Sequence, residues 1–120
     1  MRGKEYLTRS EQYALVYKEG SSETSDLVVM KALPNGLDLS RYGFSVSRRV
    51  GGAVVRNRVK RRLREILRSA PLKSGWDIIF MARPQAAAAQ SARLEKSVKG
   101  LLSRAGLLAN KYEEASLRTN

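Results

Sequence analysis

The sequence predicts an α+β domain, a two-layer α/β sandwich with helices on one sheet in the order α-β-β-α-β-α. Three observations carry this expectation. Segments 54–69 and 87–105 repeat apolar residues at helical spacing. Segments 27–33, 41–47 and 76–82 are short and rich in β-branched or aromatic residues. Glycines, prolines and polar clusters punctuate the chain between them. At 120 residues the chain is of single-domain size, and 42% hydrophobic residues suffice for a core. The expected domain is 1–112, with a polar tail over 113–120.

Residues 1–9 are polar and basic and read as an arm. Ser10 is placed to cap a helix over 10–19, and Gly20 to stop it. Thr8 is the alternative cap, because Thr8 and Glu11 have capping-box spacing. A polar loop over 21–25 follows. The run 27–33 is nearly all apolar, and Pro34-Asn35-Gly36 is a turn signal. In 41–47 the residues alternate: Tyr42, Phe44 and Val46 point one way, and Gly43, Ser45 and Ser47 the other. These two strands and their turn predict an antiparallel pair. Gly51-Gly52 breaks the pattern before the helix over 54–69, which Pro71 ends. A third strand over 76–82 stops at Arg83-Pro84. The strand–helix–strand unit spanning 41–82 allows its two strands to be parallel neighbours. The last helix, 87–105, presents Leu94, Val98, Leu101, Leu102 and Ala105 as one stripe.

Charge is the strongest functional signal. The chain carries 23 Lys plus Arg against 11 Asp plus Glu, a net charge of +12. Residues 48–68 hold nine cations (Arg48, Arg49, Arg56, Arg58, Lys60, Arg61, Arg62, Arg64 and Arg68) and one acid, Glu65. At about 100° per residue, Val55, Val59, Leu63, Ile66 and Leu67 fall in one sector, with Lys60, Arg61, Arg64 and Arg68 opposite. Arg58 and Arg62 flank the apolar stripe. Like charges at these spacings repel one another, so a polyanion explains the face better than solvation does. Nucleic acid is the expected partner. Unpaired N–H groups at the start of this helix, next to Gly51-Gly52, offer a further anion site.

Tyr13 and Tyr17 lie four apart on one helical face. Their spacing permits a stacking platform for unpaired bases or a cover over the core. Met30 and Trp76 read as packing residues. The absence of Cys and His excludes thiol nucleophiles, His-dependent triads and zinc sites of the usual ligands. Asp26, Asp38, Glu65 and Asp77 are scattered and form no metal motif. No apolar run approaches the roughly 18 residues of a membrane span, and the N-terminal residues lack a signal-peptide core. The expectation is a cytoplasmic nucleic-acid-binding chain with no catalytic residues, no metal bound by protein ligands and no small-molecule substrate.

The segment 43–65, G-F-S-V-S-R-R-V-G-G-A-V-V-R-N-R-V-K-R-R-L-R-E, resembles the protein component of bacterial ribonuclease P. The R-N-R block at Arg56-Asn57-Arg58 and the K-R at Lys60-Arg61 carry the resemblance. Tyr13, Val16 and Tyr17, Gly20 and the strand ending at Pro84 extend it over about 5–108. The resemblance implies a subunit that joins a catalytic RNA in removing 5′ leaders from precursor tRNA, with the RNA and its Mg²⁺ performing hydrolysis. It implies that Arg48, Arg49, Arg56, Asn57, Arg58, Lys60, Arg61, Arg64 and Arg68 meet the catalytic RNA. It assigns Tyr13, Tyr17, Ser45 and Ser47 to a cleft for the single-stranded leader. It also implies a left-handed crossover around the R-N-R helix, against the general right-handed rule. The family often has an aromatic residue at the position of Met30 and Phe at those of Tyr13 and Tyr17. The alternative reading is a non-enzymatic RNA-binding protein of ribosomal type.

Overall fold

The structure, a computed structural model, describes residues 4–109. The expected domain end at 112 and the tail over 113–120 lie outside the described residues. The chain runs β1 (Lys4–Tyr6), α1 (Ser10–Glu19), β2 (Ser21–Thr24), β3 (Val28–Pro34), β4 (Ser40–Ser45), α2 (Ala53–Ser69), β5 (Trp76–Ala82), a 3-10 turn (Pro84–Ala87) and α3 (Ser91–Arg104). The α+β class holds. The expected order α-β-β-α-β-α gains two strands, where residues 1–9 read as an arm and 21–25 as a loop.

The five strands form one sheet in the order β1-β4-β5-β3-β2. β4 and β5 are parallel neighbours, as the strand–helix–strand unit allowed. The expected antiparallel pairing of β3 with β4 does not occur: β5 lies between them, antiparallel to β3. The physical reason is burial. Asp77 to Phe80 of β5 are all buried, and a strand covered on both faces belongs at the sheet centre. Pro34-Asn35-Gly36 still turns the chain, but the Asn35 N–H donates to the Gly75 carbonyl rather than closing a hairpin onto β4.

The helices occupy both faces of the sheet. Val28, Met30 and Ala32 of β3 and Ile78 and Phe80 of β5 pack in the main core with Val59, Leu63 and Leu67 of α2 and Leu94, Val98 and Leu101 of α3. On the other face Ile79 packs with Val16 of α1 and Leu7, flanked by Tyr13, Leu33 and Met81. One layer of helices on one sheet is therefore joined by α1 on the far side. The second apolar set on β3 and β5 requires that cover. Met30 is fully buried in the main core, and Trp76 packs at its edge.

Local chemistry sets the ends of the elements. α1 has Arg9 rather than Ser10 or Thr8 at its N-cap. The Gln12 side-chain oxygen accepts the Thr8 and Arg9 backbone N–H groups at 3.0 Å each, so N3 caps backwards. Gly20 ends α1 in extended backbone. A Cβ there would meet the Val16 carbonyl at 2.5 Å, so close approach is what demands glycine. At the C-terminus of α2, the Lys4 ammonium donates to the carbonyls of Leu67, Arg68 and Ala70 at 2.6–2.8 Å. A cation at that end also offsets the helix dipole.

Candidate nucleic-acid interface

α2 presents its predicted apolar sector to the core: Val59, Leu63, Ile66 and Leu67 are buried and Val55 half-buried. Asn57, Arg61, Arg64 and Arg68 are exposed along the opposite side, with half-buried Lys60 beside them. This places five predicted residues on one outward stripe. No acid lies in the first turn, and Gly52 caps it without a side-chain hydrogen bond. Arg48 and Arg49 are exposed in the turn before the helix. Gly51, at φ 155°, lets that turn enter α2; a Cβ there would also strike Val55 at 2.9 Å.

Not all the predicted cations face outward. Arg56 donates through Nε to the Gly51 carbonyl at 3.2 Å, which bends it towards the helix entrance. Arg58 and Arg62 lean onto the segment between the 3-10 turn and α3. Arg62 Nη1 donates to the Ala89 carbonyl at 3.1 Å, and Arg58 Nη2 reaches the Ala87 carbonyl at 3.5 Å. Arg58 Nε is buried and has no hydrogen-bond partner among the described residues. The helix predicted over 87–105 therefore starts only at Ser91, since the carbonyls of Ala87 and Ala89 are turned towards arginines of α2. The tertiary contact overrides the helix propensity of the four alanines.

The second candidate surface lies on the other face of the sheet. α1 packs over β3 and β5, leaving Arg41, Gly43 and Ser45 of β4 beside it. Tyr13 spans this gap: a Cβ on Gly43 would sit 2.1 Å from its hydroxyl oxygen, so only glycine admits the ring. Burial, with the neighbouring Tyr17, raises the Tyr13 phenol pKa, opposed by a hydrogen bond from the Phe44 backbone. Tyr13 is half-buried against the smaller core, whereas Tyr17 is exposed. The two readings of this pair thus divide between its members. Lys31 brings a cation to the same face, donating to the Tyr17 carbonyl at 2.8 Å.

Ser45 ends β4 on the Gly43 side and is half-buried. Ser47 does not extend that wall. β4 stops at Ser45, and Ser47 lies exposed in the following turn, its carbonyl accepting the Val50 N–H. Sequence reasoning missed Arg41. Its guanidinium grips buried Asp77 through two bonds of 2.8 and 2.7 Å, and Asn35 donates to the same carboxylate at 2.9 Å. The bond to Asp77 raises the Arg41 pKa against the opposing effect of burial. Alternation in β4 put Arg41 on the Gly43 side, but no motif marked its partner.

The family model for Ribonuclease P matches residues 1–106. The chain belongs to the ribonuclease P protein family. It is 49% identical over 120 residues, the whole of both chains, to a ribonuclease P protein component of Dehalococcoides mccartyi. It is 39% identical to that of Caldanaerobacter subterraneus, covering 90% of this chain and 91% of the relative. The ribonuclease P protein of Staphylococcus aureus superimposes with a TM-score of 0.78 at 28% identity, over 87% of this chain and 97% of that one. That of Thermotoga maritima gives 0.77 at 30% identity, over 82% and 96%. The chain is thus a protein subunit of ribonuclease P, an endoribonuclease of tRNA processing, and the ribosomal-type alternative is not favoured. Among the described residues of this ribonuclease P subunit, no three His, Cys, Asp or Glu side chains gather as a metal site. No helix among them is long and apolar enough to cross a membrane.

Proposed function

We propose that this subunit docks on the catalytic RNA of ribonuclease P through the outward stripe of α2 and holds the 5′ leader of precursor tRNA beside α1. The observation that carries the reading is the exposed line Asn57, Arg61, Arg64 and Arg68, unbroken by any acid. Lys60, Arg48, Arg49 and Arg56 widen the footprint towards the helix N-terminus. Arg58 contributes to it indirectly, by holding α2 to the body. On the far face Tyr17 offers a ring for stacking, Tyr13 forms the floor and Ser45 the wall, while Ser47 meets the leader from the adjoining turn. Hydrolysis belongs to the RNA and its Mg²⁺.

The physical logic is charge compensation. A polyanionic RNA must hold a polyanionic substrate, and a cationic subunit lowers their repulsion. It therefore lowers the Mg²⁺ requirement. Leader contacts that mature tRNA lacks create selectivity as a difference of affinities; about 1.4 kcal/mol from them gives roughly tenfold preference.

Reconstitution with catalytic RNA and leader-labelled precursor tRNA, in the cytoplasmic range of Mg²⁺, tests this reading. Cleavage should require the RNA at every Mg²⁺ level and the protein at low Mg²⁺. Arg61→Glu with Arg64→Glu should impair assembly. Tyr13→Ala with Tyr17→Ala should weaken binding of precursor but not of mature tRNA. Normal assembly by the charge-reversed protein would refute the docking face; equal binding of precursor and mature tRNA by the wild type would refute the leader cleft.

A further inference from the structure

We propose that the groove between α3 and the turn joining β2 to β3 is a second RNA-backbone site, separate from the α2 stripe, that takes a phosphodiester chain. The inference rests on the reading of this subunit as an RNA-docking protein and extends it to a surface that reading does not use. Outside 48–68, the segment 83–104 carries five cations, Arg83, Arg93, Lys96, Lys99 and Arg104, against Glu95 alone. Everywhere else in the chain nine cations are matched by nine acids. The net charge of +12 thus resides in two segments, and only one of them is α2.

Arg93, Lys96, Gly100 and Arg104 recur at helical spacing and line one groove of about 460 Å³, with Asp26 on its opposite lip. Arg93 pairs with Asp26, and Arg104 with Glu23 at 3.5 Å. These side chains are 41–62% exposed. Ion pairs so open to water contribute little, so phosphate can replace the carboxylates at small cost. Lys96 is exposed in the same line.

Gly100 lies inside α3. Glycine weakens a helix interior relative to alanine. The fold does not require it, because a Cβ at Gly100 would meet nothing within 4 Å. An open glycine on the floor of a cationic groove lets a chain approach the helix backbone closely, and that is the role assigned to it.

The test is a salt titration of binding, with three variants of the full chain compared. Against catalytic RNA, Arg93→Gln/Lys96→Gln/Arg104→Gln should make the slope of log K on log salt shallower by about 2–3, at about 0.7–0.9 for each phosphate left without its cation. Gly100→Ala should raise the melting temperature yet weaken RNA binding several-fold, a combination that a glycine serving the fold alone would not give. Arg61→Glu/Arg64→Glu serves as the α2 reference. If that reference loses binding while the triple variant keeps the wild-type slope in both arms below, the groove proposal is overturned and the α2 reading stands. If the reference binds normally, it is the α2 reading that fails. A second arm titrates precursor tRNA onto the assembled holoenzyme. A shallower slope in that arm alone supports the groove and assigns its phosphates to the substrate.

Discussion

Gly43 and Tyr13, from different elements, meet on the α1 face of the sheet, and their contact is close enough to measure. A methyl group at 43 would overlap the Tyr13 hydroxyl, so Gly43→Ala should cost about 1–3 kcal/mol, as overpacking does. In a Tyr13→Ala background most of that cost should vanish. Urea unfolding of the four proteins of this cycle gives the coupling directly. The arginines of α2 divide at the same scale. Arg62 holds the Ala89 carbonyl, so Arg62→Ala should lower stability by about 1 kcal/mol. Arg61 is exposed, with Arg58 and Arg64 three residues to either side and Glu65 four residues on, so Arg61→Ala should leave stability within about 0.5 kcal/mol. Thermal melts of the two variants without RNA check the contrast. Composition exposed the cationic helix but not this division. The sector containing Arg58 and Arg62 is visible on a helical projection, whereas the carbonyls that receive them come from another part of the chain.

At the scale of elements, the aromatic row Tyr6, Tyr42, Phe44 and Phe80 crosses β1, β4 and β5, with ring centroids 5.0–6.1 Å apart. Burial, then the hydrogen bond and proximity of Tyr6, push the Tyr42 phenol up to about 12 from 10.0. Between those two values the folded chain keeps a proton that the unfolded chain has released. Stability therefore falls as pH rises through this window, and the group contributes no pH dependence below it. Tyr42→Phe should lose less stability than the wild type between about pH 10 and pH 12, which urea unfolding at each pH would show. The elements legible in the sequence were those with apolar periodicity. β5 was expected with the bounds it has; α1 ends at Glu19 as expected but is capped at Arg9 rather than Ser10, and α2 begins one residue earlier than expected. β1 and β2 were not legible. Lys4-Glu5-Tyr6 and Ser21-Ser22-Glu23-Thr24 lie at the sheet edges and carry no apolar alternation. Backbone pairing with β4 and β3 holds them in place, and no side-chain pattern records that. The strand order was hidden for a related reason. A turn signal reports that the chain reverses, not which strand it then pairs with.

For the whole molecule, the faces of the sheet separate the proposed tasks. α2 and α3 cover one face and carry most of the excess charge, while α1 covers the other and borders the proposed leader site. The link between them is short: the chain passes from Ser45 through Arg48 and Arg49 into α2. The local excess of charge in 48–68 was readable from sequence because charge needs no tertiary contact to be counted; which of its arginines turn back onto the body was not. Of the surface beside α1, the sequence named Tyr13, Tyr17 and Ser45 but not the contacts of Arg41 with Asp77 or of Gly43 with Tyr13, which arise from the β4–β5 register and the packing of α1. The central claim is that this chain acts by placing cations on the phosphates of the catalytic RNA. The most direct measurement is the affinity of the wild-type chain for that RNA across a series of monovalent salt concentrations. With six to eight phosphates neutralised, log K should fall against log salt with a slope of about −4 to −7; a slope near zero would contradict the account.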